Sequence, residues 1–329
     1  MDFSELTRLA SGHIEARILQ VAVRLGVFDA IASGSLDTLG IAAALATDPR
    51  ATTLLLNALA AMGLLDKSAD RFSLTPIAAN HLVRNSAQYL GGMILFDAGL
   101  WNCWGSLAEA IRSGTPVRSP DMYQGDASET EIFISAMDSL VKARGDAEWL
   151  AKAIDWGDTT EFLDVGSGPA TYPIAICKRF AGLNATIFDL PATLRITQRY
   201  VRQAGMEHRI RLIAGDYRSD TIPGRYDVIL LSNIIHGEGE RANELLVRKL
   251  VSNLQSGGRF VVKDHILDES LASPPVGAVF SLLMLLTTIS GRCYSFNEIR
   301  LWMERANLSQ VQKLDLPPPF TSSLVVGTK

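Results

Sequence analysis

Residues 161–170 read Glu-Phe-Leu-Asp-Val-Gly-Ser-Gly-Pro-Ala, and the fold turns on them. An apolar run of strand character ends at Asp164. Gly166 and Gly168 follow at once, and a helical pattern resumes with Tyr172, Ile174, Ala175, Ile176 and Phe180. Strand, glycine turn and helix open a nucleotide-binding α/β domain: glycines let the backbone approach a ligand, and the free N–H groups of the helix start face it. Beyond this unit, strands at 161–165, 185–188, 210–214, 226–233, 258–266, 310–315 and 321–327 alternate with helices. Two of them, Asp-Val-Ile-Leu-Leu-Ser-Asn (227–233) and Gly-Arg-Phe-Val-Val-Lys-Asp (258–264), are apolar on both faces, as in a sheet covered on both sides. The pattern predicts a doubly wound, Rossmann-like domain over 156–329, with its ligand at the carboxyl ends of the strands.

Before this domain the chain is helical. Ile14, Ile18, Val21 and Leu25 recur at helical spacing and Gly26 stops them. Leu36–Ala46 reads as a second helix, and Asp48-Pro49 starts a third that runs to Gly63. A short hairpin turning at Ser68-Ala69-Asp70 closes a winged helix-turn-helix over residues 1–90. That shape suggests DNA binding, and the charges argue against it. Residues 1–90 hold seven Lys/Arg against eight Asp/Glu, and the helix in the recognition position, Ala51–Met62, carries no cation. A helix entering a groove needs side chains for phosphates and base edges. An apolar one is buried in a core or against a second chain, so a homodimer through this domain is expected. Residues 91–155 read as a helical connector in which Trp101, Trp104, Phe133 and Met137 are either core or lining of an apolar substrate pocket.

Composition bounds the class. Of 329 residues 47% are hydrophobic and 20% charged, with a net charge of −4, which gives no bulk attraction for nucleic acid or an anionic membrane. Cys103, Cys177 and Cys293 are scattered, which fits a reducing cytoplasm and neither a disulfide framework nor a cysteine-rich metal site. Val276–Ile289, the most apolar later stretch, is too short to span a bilayer and reads as a buried helix.

The strand ends carry the chemistry. Asp189, followed by Leu190-Pro191, lies about 20 residues beyond the glycine turn, where an acid accepts from both hydroxyls of a ribose; capping the next helix is the plainer alternative. Asp216-Tyr217 ends the third strand, placed for an adenine amino group and ring, or simply for a turn. His236 follows the fourth strand, and Lys263-Asp264-His265 ends the fifth. Strand alternation sends Asp264 and His265 to opposite faces, so one of them looks into the site. No phosphate-binding lysine accompanies the turn, and Asp164 is placed for a cationic or amine-bearing group. Together these suggest an adenosine that bears a sulfonium and an amino acid.

These motifs resemble those of class I S-adenosylmethionine-dependent O-methyltransferases of the caffeic acid/hydroxyindole type, including bacterial natural-product enzymes. Asp-Val-Gly-Ser-Gly-Pro-Ala (164–170) is similar to the family's glycine turn, Phe-Asp-Leu-Pro (188–191) to its ribose motif, and Gly-Asp-Tyr (215–217) to its adenine motif. Leu-Ser-Asn-Ile-Ile-His (231–236) resembles the strand that ends in its catalytic histidine. The resemblance implies His236 as general base, Asp264 as the acid that orients it, and S-adenosylmethionine, with S-adenosylhomocysteine as product and no metal. It implies cofactor contacts from Gly166, Gly168, Asp189, Leu190, Asp216, Tyr217 and Ser232, the last where the family often has lysine. It also implies substrate contacts from Phe280, Leu283 and Met284. Ala170 replaces the last glycine of the turn, Gly237-Glu238 replaces Asp-Trp, and Cys293 falls near a second flanking acid. Arg144 is a candidate partner for the cofactor's carboxylate on its charge alone.

Methyl transfer is an in-line displacement in which orientation alone can supply roughly 7–11 kcal/mol. A base that takes the hydroxyl proton as the new bond forms adds roughly 10²–10⁴ in rate. The expected function is O-methylation of a hydroxyl on an aromatic or polyketide-like molecule. Transfer to nitrogen or carbon by proximity is the variant. An NAD-dependent oxidoreductase and a winged-helix regulator are the other classes.

Overall fold

The computed structural model describes residues 1–34, 36–120 and 126–329. The chain divides into two compact units: Met1–Trp101 with Ser135–Ala143, and Asn102–Ile134 with Arg144–Lys329. The stretch expected as a connector therefore supplies residues to both.

In the first unit the helix Phe3–Leu25 starts on a capping box, Asp2 accepting the Glu5 N–H at 2.8 Å and Glu5 accepting that of Asp2 at 2.8 Å. It stops at Gly26, whose φ of 79° is left-handed. The predicted helix from Leu36 begins two residues later, at Thr38. Leu36–Asp37 (β1) instead pairs with Arg71–Leu74 (β3), and Asp37 caps the helix by accepting the Gly40 N–H at 2.8 Å. Asp48 caps Pro49–Ala61 in the same way, accepting from Ala51 at 2.8 Å. Leu65–Ser68 (β2) and β3 form the wing. Val23, Phe28, Ile31, Leu56, Leu59 and Phe72 close a core beneath it. Outside that core the first sixteen residues stand exposed, with Phe3 80% and Leu9 66% accessible.

The second unit is built on a seven-stranded sheet. Its strands are Glu161–Val165 (β4), Asn184–Asp189 (β5), Ile210–Ala214 (β6), Tyr226–Ser232 (β7), Leu254–Asp264 (β8), Ser309–Asp315 (β9) and Ser323–Thr328 (β10). The order is β6-β5-β4-β7-β8-β10-β9, parallel from β6 to β8, with β10 antiparallel to both its neighbours. The direction of winding reverses between β4 and β7, and there the carboxyl ends open a crevice. One face packs Leu163, Val165, Leu231, Phe260 and Val262 against Leu250, Ile299 and Trp302. Two expectations change here. β8 ends at Asp264 instead of 266, because the Asp264 carboxylate accepts the His265 N–H at 2.7 Å and turns the chain out of the sheet. The apolar helix, Pro275–Thr287, is not buried all round: Val279 is 57% exposed, and Ile289 just beyond it 78%. Among the described residues no helix is long and apolar enough to cross a membrane.

Candidate active site

β4 delivers Asp164 and then the glycine turn. Gly166 and Gly168 have φ of 69° and 60°, left-handed values that a side chain resists. Ala170 takes the same conformation, at φ 62°. Its β-carbon stands in a region that strains an L residue. The turn is held from the next strand. Asp189 accepts the N–H of Gly168 at 2.8 Å and of Leu190 at 2.7 Å, and Thr197 donates to the Gly168 carbonyl at 2.6 Å. Burial pushes the Asp189 carboxyl up to about 6, against those two N–H groups and Thr193.

Asp164 is 1% exposed, and neither of its oxygens has a hydrogen-bond partner among the described residues; the same holds for the Ser167 hydroxyl. Burial pushes its carboxyl up to about 7, with Ser167 nearby pulling the other way and the Asp189 charge adding to the rise. A buried acid without donors is costly and marks a place where a ligand completes the structure.

At β6 the chain turns at Asp216, which accepts the N–H of Arg218 at 2.8 Å. Tyr217 donates its hydroxyl to Glu238 at 3.0 Å, and Arg218 reaches the same oxygen at 2.7 Å. Glu238, which replaces the tryptophan of the motif it resembles, therefore fixes the tyrosine. Ser232 ends β7 opposite Lys263 and accepts from the Asn233 side chain at 3.3 Å. Asn233 then breaks the strand at φ 55°, a conformation that asparagine tolerates, and the 3-10 turn Ile235–Gly237 follows with His236.

His236 donates from Nδ1 to Asp264, whose oxygens lie at 2.8 and 3.0 Å. Burial would raise the Asp264 carboxyl, but the His236 ring beside it, with the His265 ring and N–H, outweighs that and holds it below the usual range. Lys263, next to Asp264 in the chain, is paired elsewhere. Lys263, 1% exposed, lies 3.2 Å from the Asp146 carboxylate and 3.1 Å from the Ser322 hydroxyl. Arg144 is held in that same cluster, 2.8 Å from Asp146 and 2.7 Å from Thr321. Burial pushes the Cys293 thiol up to about 12, with the Asp264 charge adding to it. Cys293 is thus a neutral neighbour of the pair, and among the described residues His236 bonds one carboxylate.

Of the residues expected to touch substrate, Phe280 packs its ring on His236, centroids 4.9 Å apart and edge-on at 83°. Leu283 is half-buried and Met284 buried on the same helix. Trp104 and Phe133 belong to the second unit, Trp101 and Met137 to the first, where Arg17 lies over the Trp101 ring at 4.9 Å. Sequence reasoning missed the residues that hold the histidine turn. Fully buried Asn243 donates to the carbonyls of Ile235 at 2.8 Å and Glu238 at 3.2 Å, and the Tyr294 hydroxyl reaches that of Glu238 at 2.6 Å. A β-carbon on Gly291 would come within 2.3 Å of the His236 carbonyl. An asparagine in an apolar helix stripe was the one visible signal.

Residues 105–308 match the model of the O-methyltransferase domain, and residues 7–84 that of the O-methyltransferase dimerisation domain. The chain is 30% identical over 330 residues to the 3-hydroxy-5-methyl-1-naphthoate 3-O-methyltransferase of Streptomyces sahachiroi, covering 98% of this chain and 94% of that one. It is also 30% identical to the tetracenomycin polyketide synthesis 8-O-methyl transferase TcmO of Streptomyces glaucescens, over 99% and 96% of the two chains. Among solved structures, PigF with SAH superposes with a TM-score of 0.89 at 27% identity, over the whole of both chains.

Proposed function

The chain belongs to the O-methyltransferase family with an N-terminal dimerisation domain, and we propose that within it His236 is the general base for methylating a hydroxyl on an aromatic or polyketide-like molecule. The enzyme is an S-adenosylmethionine-dependent methyltransferase, and the oxidoreductase and regulator readings end with that membership. The residues present fit the cofactor. The two donorless oxygens of Asp164 suit an amino group, Asp189 suits a ribose diol, and the glycine turn lets the backbone approach. Asp216 and Tyr217 suit the adenine. When bound, S-adenosylmethionine supplies an electrophilic methyl group on sulfur.

The protein's own share is to position the acceptor and take its proton. Nδ1 of His236 faces a carboxylate, which only accepts, so Nδ1 holds the hydrogen and Nε2 of the neutral ring has the lone pair. Nε2 takes the hydroxyl proton as the oxygen attacks, and Asp264 steadies the imidazolium that results, the role of the third member of a catalytic triad. That His236–Asp264 contact is the observation that carries the reading. The dimer forms through the first unit, where the apolar Phe3, Leu6, Leu9 and Ile14 are half to four-fifths exposed and a second copy would bury them. The test is incubation with isotopically labelled S-adenosylmethionine and a panel of hydroxynaphthalenes, hydroxynaphthoates and anthraquinones, read by mass spectrometry. Label on acceptor oxygen supports the reading. Label on nitrogen or carbon, or none in protein that binds S-adenosylhomocysteine, refutes it.

A further inference from the structure

His265 follows the acid that holds the base, and the reaction as described makes no use of it. Strand alternation predicted that it points away from Asp264's face. Because β8 stops at Asp264, it does not: the His265 ring lies 4.9 Å from the centroid of Phe280, the residue whose ring His236 meets at the same 4.9 Å. Two imidazoles thus share one phenylalanine and lie within twice that distance of one another. Each is pinned through Nδ1 to an oxygen that only accepts, His236 to the Asp264 carboxylate and His265 to the Thr321 carbonyl at 2.7 Å. Nδ1 carries the hydrogen in both, so each neutral ring offers an Nε2 lone pair. Burial, opposed by Asp264, holds His265 below the ordinary histidine range and so keeps it neutral. No described residue donates to either Nε2. The contact that ties the loop between β9 and β10 to the site uses Nδ1 alone; the half-buried ring keeps Nε2 open to solvent and able to accept from a ligand.

We propose that His265 is a specificity residue whose Nε2 accepts from a second O–H or N–H of the substrate, on the edge that presents its hydroxyl to His236. The acceptor class is then an aromatic with two neighbouring donors, ortho or peri to one another. This rests on His236 as the base. A substrate with one donor strips water from the His265 lone pair and returns nothing, a loss of about tenfold in affinity.

Protein saturated with S-adenosylhomocysteine is titrated calorimetrically with 2,3-dihydroxynaphthalene and with 2-naphthol, and methyl transfer to each is followed separately. The wild type should bind the diol about tenfold more tightly. His265→Asn keeps a donor for Thr321 and His265→Phe keeps the packing on Phe280; each removes Nε2 and should bring the ratio within about threefold. Retained affinity for S-adenosylhomocysteine shows that the variants are folded, and a ratio of two ligands is insensitive to a general loosening. A wild-type ratio near one, or a tenfold ratio that survives in both variants, overturns the proposal and leaves His236 as base. Absence of binding and transfer with both compounds overturns the aromatic-acceptor reading, and this proposal with it.

Discussion

Two buried carboxylates on one sheet, on strands separated by β7, behave in opposite ways. Asp164, one residue before the end of β4, has no hydrogen-bond partner among the described residues and is pushed up to about 7 by burial. Asp264, ending β8, is equally buried yet held below the usual range, because His236 and the His265 N–H satisfy it. Burial is the same, so the difference lies in the partner. An acid that supports a resident base has its donors built in, whereas one that greets a ligand is left short of them until the ligand arrives.

The largest expected effect breaks the satisfied end. His236→Ala should cut turnover by roughly 10²–10⁴ while affinity for S-adenosylhomocysteine, measured by calorimetry, is unchanged. Intact turnover would reduce catalysis to proximity.

Next comes the unsatisfied end. Asp164 holds its proton more tightly folded than unfolded. Between the ordinary carboxylate value near 4 and its own of about 7, rising pH therefore weakens the ligand-free fold, by up to about 4 kcal/mol above that window. Asp264 has the reverse sign: its contribution is full above the ordinary value and is lost as pH falls through its depressed one. Asp164→Asn should accordingly raise the melting temperature of the ligand-free protein at pH 8, with the gain shrinking toward pH 4. It should also weaken S-adenosylhomocysteine binding by about tenfold or more. A variant that melts lower than wild type at pH 8 would contradict the contrast.

Gly291→Ala sharpens the comparison from the outside. A β-carbon 2.3 Å from the His236 carbonyl must displace the turn, so turnover should fall about ten- to a hundredfold with cofactor affinity intact. Smallest is Ala170→Gly: relieving a left-handed φ of 62° should stabilise the fold by about 0.5–1 kcal/mol in denaturant titration.

The succession of strands along the chain and the acids at their tips were legible because polar residues punctuate apolar runs, and each tip reports one strand's end. His236 and Asp264 both close such runs, but only the family resemblance pairs them, since a strand's end does not say which tip it meets. What escaped was set by partners distant in sequence. Asn243 reads as one polar residue in a helix, and its purpose appears only against the carbonyls of Ile235 and Glu238. Gly291 looks like any loop glycine until His236 lies beside it. His265 was sent to the wrong face since alternation assumes the strand continues, and a single carboxylate–amide bond ended it. The helix Pro275–Thr287 was read as buried because hydropathy does not say which apolar faces the chain itself covers.

The first helix shows the same limit with a different outcome. Its opening turns present Phe3, Leu6 and Leu9 to solvent, so folding and pairing draw on one pool of apolar surface. In the proposed dimer, unfolding is a bimolecular equilibrium. The melting temperature should climb with protein concentration, and dilution alone should loosen a chain whose sequence and buffer are unchanged.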